Sequence, residues 1–129
     1  MIKPNFRHII NGKRLATAIA QDYKTGEVLM VAFIDEEAFN KTIQTRKAQY
    51  YSTSRNMIWY KGEESGHIQE IKEVLLDCDE DAIIFKVKQV GGACHTGHYS
   101  CFYKKLSDDG EVVTEYEDKV FDPEDVYEK

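Results

Sequence analysis

Residues 91–102, GGACHTGHYSCF, put two of the chain's three cysteines and two of its four histidines within eight residues: Cys94, His95, His98 and Cys101. The third cysteine, Cys78, stands sixteen residues before Cys94, in LLDCDED. Thiolates suit zinc, and three of them leave a fourth tetrahedral position. His95 or His98 would close that position in a structural centre, and water would fill it in a catalytic one. Six residues separate Cys94 from Cys101, which is not the C-x₂-C of a zinc ribbon, so spacing decides neither between these two nor between a metal centre and small core cysteines. A cysteine nucleophile is a further chemistry, with Cys94 attacking and a histidine as base. Against it, neighbours on an extended chain point apart, which separates Cys94 from His95, and a pair with His98 would need a helical turn that Gly97 disfavours.

Asp77, Asp79 and Asp81 flank Cys78. In an extended segment these carboxylates share one side while Cys78 faces the other. Converging carboxylates suit a hard cation such as Mg²⁺; a solvated acidic turn has the same composition. A calcium loop is excluded, because Ala82 and Lys88 stand where its sixth-position Gly and twelfth-position Glu belong. Residues 59–67, WYKGEESGH, hold Gly62 and Gly66 around a loop whose N–H groups and Ser65 can approach an anion, with Lys61 supplying charge. An ordinary surface hairpin would use the same turn residues. Ser52, Thr53, Ser54 and Arg55 offer hydroxyls and a guanidinium to a phosphate, or to cross-sheet pairing.

These residues need elements to hold them. Residues 15–20 and 28–34 read as strands joined by a turn ending at Gly26, and the second run is apolar throughout, which predicts burial on both faces. Asp35 is placed to cap a helix, with Glu36 and Glu37 at its positive end and Arg46 and Lys47 at the other; Ala38, Phe39, Thr42 and Ile43 form its apolar face. Residues 49–54, 57–60 and 82–90 read as further strands. Residues 68–76 fit a strand or a helix, since Ile68, Ile71 and Leu75 also keep helical spacing. Residues 1–14 show no period and read as a lead-in. After Lys104 the chain turns charged, with a turn at 108–110 and a last strand over 112–116.

The 129 residues predict one domain, able to bury roughly two-thirds of its unfolded surface. A net charge of −6 argues against binding to a nucleic-acid backbone, though not against a small anion met by local positive charge. No stretch approaches the ~20 apolar residues of a membrane span, and the N-terminus lacks a signal-peptide pattern, which predicts a cytoplasmic protein. An odd number of cysteines in a reducing compartment points to metal or catalysis rather than disulfides.

Taken together, TGEVLMVAF, YYSTSR, WYKGEESGH, DCDED and ACHTGHYSCFY, spread over about residues 15–103, resemble the phosphoribosyl-AMP cyclohydrolases of histidine biosynthesis. Departures are small: Gly92 where the family usually has Pro, Thr53 where a basic residue is usual, Asp35 in place of Asn, and Tyr99 where Arg is common. The resemblance implies a mainly β, α+β fold, an antiparallel pseudo-barrel capped by one main helix, assembled as a homodimer. It implies a zinc site shared across the dimer, with Cys78 of one subunit joining Cys94 and Cys101 of the other, and Mg²⁺ at Asp77, Asp79 and Asp81. The implied reaction is hydrolytic opening of the purine ring of 1-(5-phosphoribosyl)-AMP between N1 and C6. His95 is the expected proton-transfer residue, and Arg55, Lys61, Ser65 and His67 the expected substrate contacts. The 26 residues after Tyr103 are too few for the pyrophosphatase domain fused to many members. The alternative is a non-catalytic, zinc-stapled dimeric interaction module whose fourth ligand is a histidine.

Overall fold

The computed structural model describes residues 3–115 and 119–126. Period-two alternation sets the centre of the sheet. Along β2 (Lys13–Asp22), Ala16, Ala18 and Ala20 face the core, and their small side chains leave room for Phe39, Tyr50 and Phe85. A turn closed by Asp22, whose side chain accepts from the Lys24 and Thr25 N–H groups, returns the chain into β3 (Val28–Ile34). Strands β4 (Gln49–Ser52) and β5 (Met57–Tyr60) continue antiparallel beyond β3. On the other side, β7 (Ala82–Gln89) runs parallel to β2, and β6 (Gln69–Leu76) pairs antiparallel with β7. The strand order is β5-β4-β3-β2-β7-β6, with β1 (His8–Ile10) added against the start of β2.

The two ends of that order bend toward each other. Ala48 N–H donates to Gln69 O at 3.0 Å and Ile71 N–H to Arg46 O at 2.9 Å, so the chain entering β4 meets β6. The result is a curled half-barrel, mainly β, with one helix of more than a single turn. That helix, α1 (Glu36–Thr45), begins where the sequence predicts: Asp35 accepts from Ala38 N–H at 2.8 Å, and Lys13 pairs with Asp35 at 3.0 Å. It ends at Arg46, in the left-handed conformation with φ 60°. Its buried Phe39 stacks on Phe85 with ring centroids 6.4 Å apart.

Three expectations change and a fourth, the last strand, is borne out and gains a partner. The supposed lead-in is structured, because Phe6 is buried, Asn5 N–H bonds Glu80 O, and β1 turns into β2 through Asn11 and Gly12. Strand β3 is not buried on both faces: Val28 and Val31 are 40% and 50% exposed, since α1 covers only the concave side. Residues 69–76 are strand, and a bulge explains the mixed period. Before the register shift between Ile71 and Glu73, Gln69 and Ile71 face inward; after it, Val74 and Leu76 do. Finally, the charged end of the chain pairs with itself. Strand β8 (Lys104–Leu106) meets β9 (Val113–Glu115), and a short helix, α2 (Pro123–Val126), follows. Tyr116, placed in the last strand by sequence, lies outside the described residues. Within those residues no helix is long and apolar enough to cross a membrane.

Candidate active site and metal centre

A cavity of about 1030 Å³ opens between the start of β3, the β4–β5 turn, residues 59–65 and the loop of residues 91–103. Its wall combines Ser52, Ser54, Arg55 and Ser65 with His95 and Cys101. Local backbone chemistry explains how these meet. Arg55 stands in a four-residue turn where its N–H bonds Ser52 Oγ at 3.2 Å. Residues 61–66 fold back sharply at Gly62: its φ is +86°, and an added Cβ would sit 2.6 Å from the carbonyl carbon of His67. Ser65 Oγ then accepts from His67 N–H at 3.1 Å.

The 91–103 loop is fastened to the β2–β3 hairpin. Cys101 N–H donates to Leu29 O at 2.7 Å, Ser100 Oγ donates to Val28 O at 2.7 Å, and the Tyr99 hydroxyl donates to Asp22. Burial and the bond to Asp22 push the Tyr99 hydroxyl well above its ordinary range. Tyr99 is thus a fastening and not part of the cavity wall, and Thr53 is likewise absent from that wall. Lys61 Nζ is buried and donates to Ala93 O at 2.7 Å, which ties the 61–66 segment to the same loop.

Cys94 and Cys101 lie together. Cys94 is buried, Cys101 is exposed as a residue, and yet burial of its sulfur, followed by the charge and hydrogen bond of Cys94, pushes the Cys101 thiol up to about 12. Two thiols in contact resist joint ionisation unless a cation lies between them. Thiolates that bind zinc are deprotonated by it, so this donor pair fits zinc. Lys61 adds positive charge beside both sulfurs; burial lowers its own pKa, opposed by the charges of Cys101 and Cys94. Cys78 does not join them within one chain. It is exposed in the β6–β7 turn, at the level where Thr17 N–H bonds Asp81 O, whereas Cys101 bonds Leu29. Thr17 pairs with Phe33, four residues along β3 from Leu29, which separates the two levels by about 13 Å at the usual strand rise.

The carboxylates of Asp77, Asp79 and Asp81 do converge, with ligand oxygens within 4.8 Å of one another. The cause differs from the extended geometry expected. Residues 77–81 form a tight turn in which Glu80 takes φ 66° and Asp77 Oδ1 accepts from Asp81 and Ala82 N–H. Arg7 Nε reaches Asp81 at 2.5 Å and Arg7 Nη2 reaches Asp79 at 3.6 Å. The hydrogen bond with Asp81 raises Asp79, while the same bond and Arg7 lower Asp81.

His67 is set apart from the cavity wall. Its ring meets Phe121 edge-on at 4.5 Å, and its Nδ1 is buried with no hydrogen-bond partner among the described residues. Burial, then the charge of Lys61, holds it below the ordinary imidazole range. His95 by contrast is exposed on the wall. Sequence reasoning passed over Trp59 and Phe102, which give that wall apolar area; an aromatic beside a Lys-Gly loop was the available signal for Trp59. Pro123 and Glu124 also line it, and no motif pointed to them.

Residues 30–103 match the family model described as phosphoribosyl-AMP cyclohydrolase. The chain is 98% identical over 129 residues to the phosphoribosyl-AMP cyclohydrolase of Methanosphaera stadtmanae, covering all of both chains. It is 57% identical over 123 residues to that of Methanothermobacter thermautotrophicus, covering 95% of this chain and 89% of that protein. A histidine biosynthesis bifunctional protein of Thermoanaerobacter pseudethanolicus is 54% identical over 114 residues, which span 88% of this chain and 52% of that longer protein. A match of this extent over the segments that build the cavity shows that the chain belongs to the phosphoribosyl-AMP cyclohydrolase family of enzymes.

Proposed function

We propose that the protein hydrolyses 1-(5-phosphoribosyl)-AMP in histidine biosynthesis, opening the purine ring between N1 and C6, at a zinc site completed by a second subunit. The observation that carries this reading is the shared cavity: His95 and Cys101, in contact with Cys94, open onto the same space as Arg55 and Ser65. Membership in an enzyme family speaks against the non-catalytic module. The separation of Cys78 from Cys94 and Cys101 supports a homodimer, in which Cys78 of the partner subunit completes the set. Asp77, Asp79 and Asp81 would then approach the partner's cavity and hold Mg²⁺ for a substrate phosphate.

Cys94 and Cys101, with Cys78 of the partner subunit, would hold the zinc, which would supply a water acidic enough to ionise near neutral pH. The N1 substituent makes the purine cationic and C6 electrophilic. Water oxygen bonds to C6 and the C6–N1 bond breaks with its electron pair going to N1, leaving a carboxamide at C6; one water proton is released to solvent as the ring's positive charge is discharged, and the other ends on N1. His95 moves that proton, a role worth about 10²-fold to 10⁴-fold. Arg55 and the Ser65 hydroxyl meet phosphate oxygens at the open end of the cavity. Lys61, held by Ala93 O, contributes charge rather than a direct bond, and His67 orders the 61–67 loop against Phe121.

The test follows substrate loss by ultraviolet absorbance in metal-stripped protein, zinc-restored protein, and protein given both zinc and Mg²⁺. Turnover absent when stripped and regained only with zinc is the expected result. Folded, zinc-binding protein without turnover in any sample would overturn the proposal.

A further inference from the structure

Thr96 and His98 belong to the loop that carries the cysteines, but neither lines the cavity. Thr96 Oγ1 lies 3.0 Å from Cys94 Sγ and 2.8 Å from His98 Nδ1. A tight turn creates this arrangement: Gly97 N–H bonds Cys94 O at 3.1 Å, Cys94 N–H bonds His98 O at 3.3 Å, and Gly97 takes φ +102°. Gly97 therefore returns His98 toward Cys94, where sequence reasoning had it keep them apart. His98 is 1% exposed and its ring is stacked on Tyr103, with centroids 3.6 Å apart and planes 1° from parallel. Its orientation is fixed, with Nε2 turned toward Glu115 at 3.7 Å and making no hydrogen bond among the described residues.

We propose that Thr96 and His98 are positioning residues of the metal centre, a relay in which His98 Nδ1–H fixes the Thr96 hydroxyl so that it donates to Cys94 Sγ. Proton counting dictates the direction. A metal-bound sulfur has no proton and can only accept, so the single hydroxyl proton of Thr96 points at Sγ. The hydroxyl oxygen is then left to accept, and Nδ1 must donate to it. Such a bond orients the Sγ lone pairs and draws charge from the sulfur, so that a thiolate-rich centre keeps more of its acidity toward water. Cysteine nucleophilic catalysis needs the reverse, a histidine nitrogen accepting the proton of the thiol itself. Here a hydroxyl stands between the two groups.

The inference rests on the proposed role of Cys94, and the experiment separates the two. Zinc affinity of the full-length protein is measured by competition with a chromophoric chelator, and the sulfur-to-cobalt charge-transfer band is recorded after loading with cobalt(II). Thr96→Val keeps the branched shape without the hydroxyl. It should weaken zinc binding by about 10-fold to 100-fold and move the band to longer wavelength, because a sulfur without its hydrogen bond gives up electron density more easily. Thr96→Ser should restore both. His98→Leu should also move the band, and His98→Asn, with an amide N–H close to the place of Nδ1–H, should not; this pair decides the matter should Thr96→Val fail to fold. An unmoved band and affinity in folded Thr96→Val, or a lowered melting temperature with an unmoved band, overturns the relay. If Cys94→Ser has meanwhile lost zinc, the relay alone has failed. Native zinc affinity in Cys94→Ser overturns the metal centre and the relay together.

Discussion

The loop of residues 91–103 and the turn of residues 77–81 both present metal-binding side chains, and they are held in opposite ways. The loop is fastened by buried bonds: Ser100, fully buried, donates to Val28 O and accepts from Phe102 N–H at 2.9 Å, while Lys61 anchors Ala93. The turn projects into solvent with Cys78, Asp79 and Glu80 exposed, tied to the rest of the chain by the Asn5 and Thr17 N–H groups on Glu80 O and Asp81 O and by the exposed Arg7. A site whose donors are fixed before any ligand arrives loses little entropy when it binds. A turn that presents a thiol and carboxylates outward is incomplete alone, and suits delivery to another copy of the chain.

The strongest challenge to that contrast is subunit mixing. Cys78→Ser and the double variant Cys94→Ser/Cys101→Ser should each lose turnover entirely. Refolded together at equal amounts, they should recover about a quarter of wild-type activity, since half the dimers would be mixed and each would have one complete site of two. Failure of the mixture to recover any activity would remove the shared site. Next in size, His95→Ala should reduce turnover by about 10²-fold to 10⁴-fold with zinc content unchanged by metal analysis; simultaneous loss of zinc would make His95 a ligand and not a proton carrier.

Stability sharpens the contrast further. Ser100→Ala removes a buried donor from Val28 O and an acceptor from Phe102 N–H, and should cost about 1–3 kcal/mol in urea unfolding. Cys78→Ser, on the exposed turn, should cost less than about 0.5 kcal/mol. Similar costs for the two would mean that the turn is as firmly built as the loop. The smallest effect concerns acid. Burial raises Asp22, but hydrogen bonds from Tyr99 and from the Thr25 and Lys24 N–H groups outweigh it and lower its pKa below the ordinary 3.8. A carboxyl depressed by folding contributes stability above its unfolded pKa, and that contribution fades as pH falls through 3.8 and below. Tyr99→Phe should therefore lower the neutral plateau of the stability curve and so flatten its acid limb, measured by melting temperature from pH 7 down to pH 2, with the acid end the less changed.

Much of this was legible in the residues. Asp35 with Glu36 and Glu37 marked the start of α1, because capping is a local matter of a side-chain oxygen and the next N–H groups. The alternation of Ile83, Phe85 and Val87 against lysines marked β7, because pleating assigns faces two by two. By contrast, the bulge at Ile71–Glu73 obscured β6, since one extra residue reverses which side chains face inward. Of hairpin β8–β9, the turn at 108–110 and the last strand were legible, but β8 showed no inward-facing pattern, because all its residues are exposed. The parallel pairing of β2 with β7 was not legible either, as both strands carry the same alternation whichever way they run.

By itself, then, the sequence determined the donor types and the family: three cysteines, four histidines and an aspartate trio in a recognisable order are properties of composition and spacing. Which of them meet was decided by tertiary structure. The curl of the sheet brought residues 52–65 to face the 91–103 loop, the turn at Gly97 linked His98 to Cys94 through Thr96, and the length of β3 kept Cys78 at the far end. Spacing along a chain fixes how far apart two residues can be, and only the packing of the sheet fixes how close they come.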